Sequence, residues 1–109
     1  MTSRMKPTFG GYIRRVRQER NLTLTQLAAM LKLDSANLSK IENDKRIFDE
    51  KKLGLLSKAV SISEIELKKE YYSSKLAYEI FDSGCSTEIL KLAERKLNYL
   101  KTNFKEIAI

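Results

Sequence analysis

The sequence predicts an all-helical fold, on three observations. Proline occurs once, at Pro7, and glycine only at Gly10, Gly11, Gly54 and Gly84, so the chain offers few places to break a helix. Apolar residues recur three and four apart along most of its length. No stretch alternates apolar and polar residues between turn signals as a strand does, and no internal repeat is evident. The 109 residues suit one compact domain or a small domain with an extension. A chain this short has little stability to lose, so self-association is expected.

The elements follow in order. Residues 1–7 read as a loose basic arm carrying Arg4 and Lys6. Thr8 is placed to cap a first helix whose inner face is Phe9, Ile13 and Val16, with Arg14, Arg15, Arg17 and Arg20 around it; Asn21 and Leu22 end it. Thr23-Leu-Thr-Gln26 is a capping box, opening a short helix through Leu27, Ala28 and Leu31. Lys32 and Leu33 make a tight connection, and Asp34 caps a third short helix with Leu38 and Ile41 on one face, stopped by Asn43 and Asp44. Asp49 is expected to cap a fourth helix with Leu53, Leu56 and Ala59. Ser61 or Ser63 starts a long fifth helix through Ile65, Leu67, Tyr71, Tyr72, Leu76, Ile80 and Phe81, broken at Asp82-Ser83-Gly84. Ser86 or Thr87 caps the last helix.

Composition narrows the chemistry. There is no histidine, the commonest general base and metal ligand, and a single cysteine, Cys85, so no intrachain disulfide and no cysteine-based zinc site is possible. No glycine-rich phosphate loop is present, and Asp, Glu, Lys and Tyr show no convergent constellation. An enzyme, a metal and a cofactor are therefore not expected. No apolar run approaches the ~20 residues of a membrane span, and the first residues lack an apolar signal segment; a reducing cytoplasm is the expected location. Cys85 reads as a small inert residue at a turn.

The charge is +7, and it is unevenly placed. Residues 1–60 carry 13 Lys+Arg against 6 Asp+Glu, whereas residues 61–109 carry 8 of each. A front half facing a polyanion fits this asymmetry, and so does a merely solvated basic surface. The segment Thr23–Asn43 decides between them. Two short helices, each with its own cap and joined by so few residues, must cross steeply, which is helix-turn-helix geometry. The second helix begins with the small side chains Ser35, Ala36 and Asn37, which let it come close to base edges, and Lys40, Lys45, Arg46, Arg14 and Arg15 flank it.

Residues 9–67 resemble the Xre-type, lambda repressor-like helix-turn-helix family. Ile13-Arg-Arg-Val-Arg17, Leu22-Thr-Leu-Thr-Gln-Leu-Ala28 and Leu38-Ser-Lys-Ile-Glu-Asn43 carry the resemblance, with Leu53 through Leu67 continuing it. It implies a five-helix DNA-binding domain over residues 8–67 and leaves 68–109 as a C-terminal helical extension. It implies that Arg17 pairs with Glu42, and a bidentate Arg–carboxylate bond would tie helix one to the end of helix three. It places Ser35, Ala36 and Lys40 at base-reading positions with Asn37 and Ser39 beside them, Asn43, Lys45 and Arg46 on phosphate, and Thr23 and Gln26 against a phosphate at the start of helix two. Arg14 and Arg15 are further phosphate candidates. Two positions depart from the family. Asp44 stands where glycine is common, requiring a left-handed aspartate, and Leu24 stands where the family often has a phosphate-touching glutamine.

The last helix carries a seven-residue repeat: Leu90, Leu97 and Phe104, and Ala93, Leu100 and Ile107, fall at a and d positions. Such a seam needs a partner, either the fifth helix of the same chain or the same helix of a second subunit, with the dimer preferred. Tyr71, Tyr72, Tyr78 and Phe81 add aromatic packing surface, with an aromatic ligand pocket as the lesser reading.

The expected function is sequence-specific binding of double-stranded DNA by a homodimeric, repressor-like regulator from a bacterium or phage, acting on a palindromic operator. An antitoxin and the controller of a restriction–modification system share this fold. A protein-interaction module without specific DNA readout, binding a protein through its C-terminal helices, is the reading from another class.

Overall fold

A computed structural model describes residues 7–104. Among these, all regular structure is helical: α1 Phe9–Glu19, α2 Leu24–Met30, α3 Ser35–Glu42, a 3-10 turn Glu50–Lys52, α4 Leu53–Val60, α5 Glu64–Ser83 and α6 Glu88–Asn103. The chain divides into two compact units, the first ending at Lys75 and the second beginning at Leu76.

The first unit is built around Ile13, Val16, Leu27, Leu31, Leu38, Leu53, Leu56, Val60 and Leu67, all almost completely covered. Burying each such side chain contributes about 1.5–3 kcal/mol. Phe9 and Tyr71 complete this core with Phe48, which no helical period points to: Phe48 and Tyr71 each meet the Phe9 ring edge-on, with centroids 5.5 and 5.3 Å away. Tyr71 carries the core four residues beyond Leu67.

The helices end by one device used three times. Asn21, Lys32 and Asp44 have φ of 57°, 58° and 63°. Each lets the next residue's N–H turn back onto a carbonyl of the last helical turn: Leu22 to Arg17 at 3.0 Å, Leu33 to Ala28 at 2.9 Å and Lys45 to Lys40 at 2.8 Å. Asp44 thus does adopt the left-handed conformation that its replacement of glycine requires. Gly10 serves a different need. Any side chain there would collide with the Ile41 carbonyl oxygen, so α1 crosses the end of α3 in contact with its backbone.

Two capping expectations change, and a third is decided between its alternatives. Asp49 caps the 3-10 turn, accepting from Lys51 N–H at 3.0 Å, and α4 follows with no side-chain cap of its own. Ser61 is the left-handed end of α4, while the Ser63 hydroxyl accepts from Glu66 N–H at 3.2 Å at the start of α5. Thr87 precedes α6 with helical dihedrals, and its side chain makes no cap bond; backbone bonds Ile89 to Ser86 and Leu90 to Thr87 close the first turn instead.

In the second unit, α5 ends at Gly84, whose φ of 73° turns the chain toward α6. No residue of α6 is buried.

Candidate nucleic-acid interface

Capping fixes where α2 and α3 begin. The Thr23 hydroxyl accepts from Gln26 N–H at 3.1 Å, and the Gln26 side-chain oxygen accepts from Thr23 N–H at 2.8 Å, so both ends of the capping box are made. Asp34 accepts from Asn37 N–H at 2.7 Å and from the Asn37 side-chain amide at 3.3 Å. The connection through Lys32 and Leu33 holds α2 against α3 with no freely rotating spacer.

Burial then orients α3. Leu38, Ile41 and Glu42 are buried, Ala36, Lys40 and Asn43 are exposed, and Ser35, Asn37 and Ser39 are half-buried at the edges of the outer face. Thr25, on the first turn of α2, places its hydroxyl 3.4 Å from that of Ser35. No pattern within either helix announces that contact; it appears only when the two are brought together.

The Arg17 guanidinium holds α3 in place from behind. Its Nε donates to Glu42 at 2.7 Å, its Nη2 to the other carboxylate oxygen at 3.0 Å, and its Nη1 to the Leu22 carbonyl at 3.0 Å. The Glu42 hydrogen bond raises the arginine pKa above its ordinary value, and Glu42 is 3 % exposed. Among the described residues no buried side-chain N or O atom lacks a partner. Arg20 adds a tie absent from the sequence reading, donating to the Val60 carbonyl at the end of α4 at 2.7 Å.

The remaining candidates fall into two groups. Lys45 and Arg46 are exposed just after α3, beside exposed Lys40. Thr23 and Gln26 are exposed at the start of α2. Their side-chain oxygens accept within the capping box, and other polar groups are engaged elsewhere. Asn43 donates its side-chain amide to the Ser39 carbonyl at 2.8 Å, closing the last turn of α3, with the Ser39 hydroxyl at 3.5 Å. Arg15 donates to Glu19 at 3.1 Å and lies over the Tyr12 ring, 5.1 Å from its centroid. Burial, then the nearby Glu70, raises the Tyr12 phenol above its ordinary pKa. Arg15 therefore shares a neighbourhood with α5 carboxylates, and a phosphate there would compete with Glu19. Arg14 is exposed.

On α6, Leu90, Leu97 and Leu100 are between 46 and 49 % exposed, and Ala93 is exposed beside them, so the single chain leaves this seam uncovered. Phe104, expected on the same seam, instead follows α6 with non-helical dihedrals, and its ring meets Tyr99 edge-on with centroids 6.3 Å apart. Ile107 lies outside the described residues, as do Arg4 and Lys6. Tyr78 and Phe81 are exposed, whereas Tyr71 is core. Among the described residues no cluster of histidine, cysteine or acidic side chains is arranged to hold a metal, and no helix is long and apolar enough to cross a membrane.

Comparison with known proteins gives one relation. The family model described as helix-turn-helix matches residues 13–67, from the middle of α1 to the start of α5. Neither the curated proteins nor the solved structures contain a match to the chain.

Proposed function

Because the chain belongs to the DNA-binding helix-turn-helix family of the Xre, lambda repressor-like type, we propose that it is a sequence-specific regulator that reads a palindromic operator as a homodimer and represses by occupying a promoter. The observation that carries this reading is the orientation of α3: Leu38, Ile41 and Glu42 face the core, while Ala36 and Lys40 are exposed and Ser35 borders them. A helix so held can enter a major groove without rearrangement.

Each side chain then has a chemical role. Lys40 donates to guanine O6 and N7, Ala36 meets a thymine methyl, and Ser35 donates or accepts at a base edge, with Asn37 and Ser39 beside them. Lys45, Arg46, Arg14 and the N-terminus of α2 at Thr23 and Gln26 engage phosphates, which fix register without reading sequence. Two copies joined through α6 present two such helices to half-sites roughly 10–10.5 base pairs apart, or a multiple of that.

The test is a titration of the full chain with the duplex upstream of its own gene and with a scrambled duplex. A clear preference for the first is expected. Lys40→Ala should cost about 1–3 kcal/mol and relax the preference at defined base pairs, whereas Lys45→Ala should weaken all duplexes alike and flatten the salt dependence. Equal competition by the scrambled duplex would overturn specific readout. It would favour the interaction module, to which the uncovered α6 face lends its support.

A further inference from the structure

The α6 seam admits several pairings with a second copy, and the residues beside it distinguish them. With Leu90 and Leu97 at a and Ala93 and Leu100 at d, the e positions are Glu94 and Lys101, and the g positions are Ile89, Lys96 and Asn103. Glu94, Lys96, Lys101 and Asn103 are exposed, and among the described residues neither Glu94 nor Lys101 takes part in an ion pair.

In a parallel, in-register pair, each g residue faces the next e residue of the other helix. Lys96 then meets the partner's Lys101, two cations together. Equivalent residues also share layers, so alanine faces alanine, leaving space. In an antiparallel pair, e faces e, and the outcome depends on register. With Leu97 opposite the partner's Leu100, Glu94 meets the partner's Lys101 on both sides of the two-fold axis. Sliding the helices by one heptad in either direction sets Glu94 against its own equivalent, or Lys101 against its own.

We propose that α6 pairs with α6 of a second copy in an antiparallel arrangement, with Leu97 layered on the partner's Leu100 and Glu94 facing the partner's Lys101. The contact is isologous, as a two-fold dimer requires, and it rests on the dimeric reading above. Of the parallel in-register pair and the three antiparallel registers, it alone joins opposite charges at the e positions, and it stacks leucine on leucine at its centre.

Sedimentation of the full chain without DNA tests it. Wild type should dimerise, and Glu94→Lys and Lys101→Glu should each raise the dimer dissociation constant about tenfold, because each turns two attractions into two repulsions. The double variant should return to near the wild-type value. Mixing the two single variants should produce a heterodimer tighter than either homodimer, since one chain then supplies lysine and the other glutamate at both e positions. That result also shows both variants to be folded. Tightening by Lys101→Glu would point to the parallel pair and overturn the proposal. Single variants that dimerise like wild type would overturn the register while leaving the dimer standing, and a wild type that stays monomeric would remove the dimer itself. Duplex preference, measured separately, is untouched by the first two results.

Discussion

The two units of this chain cover their apolar residues to very different extents, although the first also leaves Ile47 and Ile65 exposed. Up to Lys75, leucines such as Leu27, Leu31 and Leu67 are 0 % exposed, and even a glutamate is buried where an arginine meets it. From Leu76 onward, Phe81 is 82 % exposed, and α6 buries nothing although its apolar stripe is as regular as any in the molecule. A helical period therefore reports that a face wants covering, not what covers it. The first unit supplies its own cover from five helices, and the second presents its stripe outward.

The largest effect sharpens this contrast. Leu27→Ala should lower the unfolding free energy by roughly 3–5 kcal/mol, through lost transfer energy and the cavity left behind. Leu97→Ala should leave the first unit's stability unchanged in dilute monomer and act only on association; denaturant titrations at two protein concentrations separate the two. Next comes the ion pair behind α3. Arg17→Met should cost about 3 kcal/mol by stranding the Glu42 carboxylate, and adding Glu42→Leu should recover most of it, since an apolar pair need not be weaker than a buried ionic one. A double-mutant cycle measures this. Gly10→Ala should cost about 2 kcal/mol, because the new methyl meets the Ile41 carbonyl oxygen and α1 must shift from α3; a thermal scan reads the loss. The smallest effect has the opposite sign. Lys32→Gly should stabilise by about 1 kcal/mol, relieving a left-handed side chain in the turn between α2 and α3, and the midpoint of a urea titration should rise accordingly.

Local chemistry made much of the first unit legible. Thr8, Thr23 and Asp34 cap their helices through bonds that span three residues, a reach that spacing within one segment reveals. The family resemblance supplied Arg17 with Glu42, and bidentate geometry explains why it holds. What stayed hidden depends on contacts between segments. Phe48 sits in a loop without periodicity yet packs on Phe9. Gly10 looks like any early-helix residue until α3 is laid across it. At the candidate interface, the sequence marked Ser35 but not the Thr25 hydroxyl beside it, and marked Asn43 for phosphate without showing that its amide closes α3. Thr87 resembled a cap by residue type alone, and its backbone dihedrals keep it from acting as one.

The single left-handed residue between α2 and α3 has a thermodynamic consequence. A joint of that kind holds no slack, so the two helices meet a duplex as one stiff body and surrender little motion on contact. Their association should therefore carry a heat-capacity change set by the surface they cover, with no added contribution from a segment folding as it docks.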